Sequence, residues 1–223
     1  MKQLLHGMRR AALPLPLAAL AAPCAAFLLS AAALGGQFSP WALAAVAAAG
    51  TGWNGAAAGL GALLGALAFL DFQPGLRHGA AALLIFCANT SFCTTRLYRR
   101  DWFRPAAAVL ASALVQTAYL WQRGGRQWAL CAAALALLYG CTRLWPQKLG
   151  GPADTGRTGW FLLLLGVCAC LSRLSLYGFA PAMTAAAVLL LALGRAARPA
   201  DLICAGALAG LTLDLCAVDT FYA

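Results

Sequence analysis

Gly55-Ala56-Ala57-Ala58-Gly59-Leu60-Gly61-Ala62-Leu63-Leu64-Gly65 is the stretch on which the reading of this chain turns. It opens an apolar run over 55–71, and its glycines form two successive Gly-x-x-x-Gly patterns. Lipid offers no hydrophobic drive for helix association, so helices in a bilayer associate through close backbone approach and polar contacts. Small residues four apart share one helix face and permit that approach. Gly206-Ala207-Leu208-Ala209-Gly210 repeats the pattern near the other end of the chain. Gly55, Gly59, Gly61, Gly65, Gly206 and Gly210 are therefore read as internal helix-packing positions. A homo-oligomer or a contact with another membrane protein is the alternative use of such faces.

The rest of the 223 residues has the same character. Hydrophobic residues make up 63% and charged residues 10%, with a mean hydropathy of +0.78. A soluble domain has about 45–50% and roughly 25%. Too little polar surface is present to cover a water-soluble globule. The expected fold is all-α, a polytopic transmembrane bundle of about nine helices, with eight to ten as the range.

A helical span needs about 20 apolar residues at a rise of about 1.5 Å each. Candidate spans fall at 11–34, 41–53, 55–71, 79–95, 105–121, 128–145, 159–176, 179–194 and 200–217. The second and third meet at Trp53-Asn54-Gly55, as a tight hairpin or a re-entrant pair. Pro40, Pro105 and Pro199 stand at the heads of apolar runs, where a missing N–H is tolerated. The stretch 146–158 reads as a cytoplasmic loop dividing six spans from three.

Sixteen Lys and Arg face six acids, all Asp, for a net charge of +10. The basic residues sit in short clusters between apolar runs, which fits the positive-inside bias and not a nucleic-acid groove. With the N-terminus in the cytoplasm, twelve of them fall inside, among them Arg96, Arg99, Arg100 and Arg104. Only Arg77, Arg123, Arg126 and Arg173 fall outside. The basic inner face should favour anionic lipid. The first apolar stretch could be mistaken for a signal or lipoprotein segment, but Pro23 before Cys24 argues against cleavage, and the run is long enough to span.

Ionisable residues within a membrane are costly and so are functional candidates. Arg173 and Asp214 fall at similar depth near the outer side and form a candidate pair. Asn54, at the helix break, is the third candidate for a ligand site. Asn89 and Gln116 read as interhelical hydrogen bonders, and His6 and His78 as isolated histidines. Nine cysteines form no CxxC and no metal-ligand spacing, so they read as small buried hydrophobes without a disulfide framework. No metal or cofactor site is expected. With no Glu, no paired carboxylates and no phosphate-binding loop, the chain is not expected to be an enzyme.

Three stretches occur in a telling order: Ser39-Pro40-Trp41-Ala42-Leu43-Ala44-Ala45-Val46, the glycine-rich run through Gly59–Gly65, and Gly206-Ala207-Leu208-Ala209-Gly210-Leu211-Thr212-Leu213-Asp214-Leu215. Together they resemble the N-terminal multi-span membrane region of the stage II sporulation protein E family. The resemblance implies a bacterial cell membrane and a region of about ten spans that anchors a cytoplasmic metal-dependent serine/threonine phosphatase. The phosphatase motifs do not occur in these 223 residues, so any catalytic domain would lie beyond this chain. The expected function is a membrane anchor and assembly module. The alternative is a small-solute transporter, or the substrate-binding membrane subunit of one.

Overall fold

The structure, a computed structural model, describes residues 15–121, 124–145, 153–172, 181–194 and 199–216. Among them the chain is helical, with one isolated antiparallel bridge between Leu34 and Phe38. The helices are α1 (Leu15–Leu29), α2 (Pro40–Ala49), α3 (Gly52–Phe69), α4 (Phe72–Phe92), α5 (Phe103–Leu120), α6 (Gly125–Arg143), α7 (Ala153–Leu171), α8 (Pro181–Gly194) and α9 (Pro199–Cys216). A single 3-10 turn, Leu97–Arg99, lies between α4 and α5.

The glycine stripe of α3 sets the first packing layer. A Cβ on Gly61 would strike the backbone of Pro23, and one on Gly65 the backbone of Phe27. Both positions advance together along the two helices, so α1 and α3 run parallel with their backbones in contact. Ser30 reinforces the seam by donating to the carbonyls of Ala26 (2.9 Å) and Ala62 (3.2 Å). On the other side of α3, Gly79 meets Leu63 while Gly75 meets Ala66, so α4 returns antiparallel. Phe92 packs on Phe103 at 5.4 Å, and the Arg77 guanidinium lies 5.0 Å from the Tyr119 ring centre. Those two contacts fix α4 and α5 as an antiparallel pair.

Between parallel α1 and α3 the chain has to come back, and it does so through the middle of the bundle. The return path is α2. Its residues Pro40–Ala47 are all buried, and α1, α3, α4, α5 and α6 all pack on it. Ten residues rise about 15 Å, so the 41–53 stretch holds a short central helix. The turn that feeds it closes on itself through Leu34 N–H to Phe38 O (2.7 Å) and Phe38 N–H to Leu34 O (3.2 Å). Gly35 stands at φ +58° in this turn, a left-handed conformation that costs other residues. Its N–H donates to the carbonyl of Leu215 in α9 at 2.8 Å. At the far end Gly50, at φ +75°, turns the chain into α3.

Helices α7, α8 and α9 pack on one another and join the rest chiefly through α7. The Trp41 indole N–H donates to the carbonyl of Leu162 at 3.0 Å. Gly166, one turn on, leaves the space that the Trp41 ring occupies. Helix α7 starts at Ala153, inside the stretch expected to be loop.

By length and composition, α3 is the one described helix long and apolar enough to cross a membrane on its own. Shorter apolar stretches lie at Leu20–Leu29, Pro40–Ala49, Phe161–Leu171, Pro181–Ala192 and Leu202–Cys216.

Candidate functional site

Of the residues singled out in the sequence for a ligand site, Asn54 and Asp214 lie apart. Asn54 is exposed in the first turn of α3, beside the Gly50 corner. Asp214 is exposed in the last turn of α9. Its neighbour Leu215 bonds Gly35, which puts Asp214 by the turn that opens α2 and Asn54 by the turn that closes it. The length of α2 separates them. Arg173, and with it the Arg173–Asp214 pair, lies outside the described residues.

The packing glycines divide. Gly55, Gly61 and Gly65 each meet backbone of a neighbouring segment, whereas a Cβ on Gly59, Gly206 or Gly210 would meet nothing within 4 Å. The expectation of internal packing at Gly59, Gly206 and Gly210 finds no close contact among the described residues. Helix α9 turns Ala209, Thr212 and Leu213 inward instead, which leaves Gly210 on the open side. The cysteines are free, but Cys24, Cys87, Cys93 and Cys204 are exposed, so small buried hydrophobes describes only part of the set. Among the described residues no group of three or more His, Cys, Asp or Glu could hold a metal ion.

The polar chemistry of the interior sits elsewhere, on the faces of α4 and α5 that turn inward. His78, Asn89, Ser112 and Gln116 are all buried. His78 Nε2, Asn89 Oδ1, Ser112 Oγ and Gln116 Oε1 have no hydrogen-bond partner. Four such atoms among the described residues is a departure from the rule that buried polar groups are nearly always paired. Each costs about 1–3 kcal/mol when left unmet.

Helix spacing explains how they line up. Ser112 and Gln116 are four apart, and His78 and Asn89 eleven apart, so each pair shares one face of its helix. The register set by Phe92–Phe103 and Arg77–Tyr119 places Gln116 level with His78 and Ser112 about one turn further along. At 1.5 Å per residue the three groups span about 8 Å of height. Asn89 lies about 8 Å deeper, where its amide donates from Nδ2 to the carbonyl of Ala47 in α2 at 3.4 Å. That bond orients the amide, because only the NH2 group can donate to a carbonyl, and leaves Oδ1 as the free atom.

Helix α2 forms the floor of this region. Asn89 stands beside Ala47, so His78 falls about one turn beyond the N-terminus of α2. Ser39 sits at that N-terminus but does not cap it, because its hydroxyl donates to Leu29 O at 2.9 Å. The acids on the neighbouring elements, Asp71 and Asp101, are both exposed. Arg77, next to His78, is buried and faces the Tyr119 ring.

Sequence reasoning singled out Gln116 and Asn89 only as interhelical bonders, and His78 only as an isolated histidine. Asn89 does bond another helix. Ser112 carried no signal beyond its four-residue spacing from Gln116. Compared with protein-family models, with curated proteins and with solved structures, the chain matches none.

Proposed function

We propose that this chain is a multi-pass module of a bacterial cytoplasmic membrane, with its N-terminus on the cytoplasmic side, serving as an anchor and assembly platform. The observation that carries the membrane reading is an inverted polarity. On α5, Leu110 and Leu114 are 70% and 69% exposed, while Ser112 and Gln116 are 3% and 4% exposed. In water the burial preference runs the other way. In lipid, leucines belong outside and hydrogen-bonding groups belong among the helices. The same outward turn of large apolar residues recurs at Leu60 and Leu64 on α3, Leu83 on α4, and Ile203 and Leu211 on α9.

Charge asymmetry supplies the orientation, with twelve basic residues on the inner side against four outside. The exposed group Arg96, Arg99 and Arg100 at the α4–α5 turn would meet anionic lipid there. The anchoring role rests on the resemblance to the membrane region of the sporulation phosphatase family. A second reading, a solute-binding membrane subunit, is favoured by the four unpartnered interior groups.

Alkaline carbonate extraction of membranes from cells making the full chain tests the membrane reading. Retention in the pellet, with release only by detergent, is the expected result. Release by carbonate alone would remove the reading.

A further inference from the structure

Three buried polar atoms without partners, at His78, Ser112 and Gln116 on two adjoining helices near the start of a third, have the form of a site. We propose that His78, Ser112 and Gln116 form an interior binding site for a small, uncharged solute that exchanges hydrogen bonds with them. This goes beyond the anchoring role and rests only on the helical packing and the membrane reading.

The chemistry of the site selects the class of ligand. Asn89 lies about 8 Å below Ser112 and keeps its bond to Ala47. Gln116 offers an amide, Ser112 a hydroxyl, and His78 a ring nitrogen. Each of these groups can donate or accept, so the lining suits a solute that carries both donors and acceptors. A cation would satisfy acceptors, but among the described residues it would sit buried without a countercharge, because Asp71, Asp101 and Asp214 are all exposed. It would also lie near buried Arg77. An anion would give up its hydration on entering the same buried region, at a cost far above that for a neutral molecule. A neutral molecule bearing N–H or O–H groups avoids both costs.

Height sets the size. The three upper groups span about 8 Å, which matches a single ring or a short amide and excludes a chain-like ligand lying along the helices. No covalent step is implied. The site binds, and its polar groups exchange an unmet state for a met one.

That exchange has a signature which structural roles do not share. In the ligand-free protein, replacing an unpartnered buried polar group with an apolar one of similar shape removes its desolvation cost. Ser112→Ala and Ser112→Ala/Gln116→Leu should therefore unfold at a higher temperature than the parent while losing the ligand response.

The test uses the full chain purified in detergent, with thermal unfolding followed against nicotinamide, uracil and myo-inositol. Choline and benzoate serve as cationic and anionic probes. Saturable stabilisation by at least one neutral probe is expected, of about 5 °C at about a hundred times Kd. The ions should have no such effect, Ser112→Ala should lose most of the shift, and Asn54→Ala should keep it. No saturable shift with any neutral probe would overturn the proposal. So would an equal shift in the parent and in Ser112→Ala, or stabilisation by the ions alone. These outcomes are independent of carbonate extraction, so failure of the site and failure of the membrane reading remain distinguishable.

Discussion

The Trp41 indole nitrogen and the Leu162 carbonyl oxygen, 121 residues apart in sequence, are joined by a 3.0 Å hydrogen bond inside the bundle. The bond ties the central helix α2 to α7, and through α7 to the three-helix group that follows. A buried indole needs a partner for its N–H. Here it takes a carbonyl already engaged in a helix, and Gly166 makes room for the ring.

Trp41→Phe should keep most of the packing and lose the bond, at a cost of about 1 kcal/mol. Trp41→Ala leaves a cavity in a fully buried position and should cost about 3–5 kcal/mol. Thermal unfolding of the detergent-purified variants measures both. Equal effects for the two would mean that the ring fills no space the bundle needs.

Gly61→Ala and Gly65→Ala would drive a methyl group into the backbones of Pro23 and Phe27. Backbone gives way poorly, so each should destabilise by about 1–3 kcal/mol. Gly59→Ala and Gly210→Ala meet open space and should be neutral, or stabilising by up to about 1 kcal/mol through helix propensity. A ranking of the four unfolding temperatures decides the matter. Comparable losses at all four positions would show that Gly59 and Gly210 also pack against something.

Gly35→Ala forces a side chain onto a residue at φ +58°, with the Leu130 side chain 3.0 Å from the new methyl. Strain of this kind costs about 1–3 kcal/mol. The loss should be larger than for Gly36→Ala, where the backbone is also left-handed (φ +66°) but no atom lies within 4 Å. The difference between the two unfolding temperatures isolates the contact from the backbone.

Topology can be read from two single cysteines in a cysteine-free background. Arg100→Cys, in the basic α4–α5 turn, should be shielded from a membrane-impermeant maleimide in intact cells. Gly124→Cys, at the exposed head of α6, should be labelled. Reversed labelling would invert the orientation, and labelling of both would argue against a crossing by α5.

Asn54→Leu should leave stability within about 0.5 kcal/mol, as for most exposed positions. Its side chain is exposed in the first turn of α3, so the expected break at Trp53-Asn54-Gly55 is helical and the chain turns just before it, at Gly50-Thr51. A large loss in the same unfolding assay would restore Asn54 as a site residue.

Much of this architecture is legible in the residues alone. Helical character follows from apolar runs punctuated by Pro40, Pro105 and Pro199, and the structure begins or nearly begins helices at those prolines. The close contact of α3 follows from Gly61 and Gly65, because glycine spacing is a local property that any partner helix would use. What sequence left open was which helix that partner is, and it proved to be α1. The length of α2 was beyond reach too, because composition does not distinguish a ten-residue central helix from a clipped span. Its burial on every side is decided by the five helices packed around it. The interior site was hidden for the same reason. His78, Ser112 and Gln116 look isolated along the chain, and only the antiparallel register of α4 and α5 brings them within about 8 Å of height. Periodicity determines which residues share a helix face, whereas the neighbour that face meets depends on contacts between residues far apart in sequence.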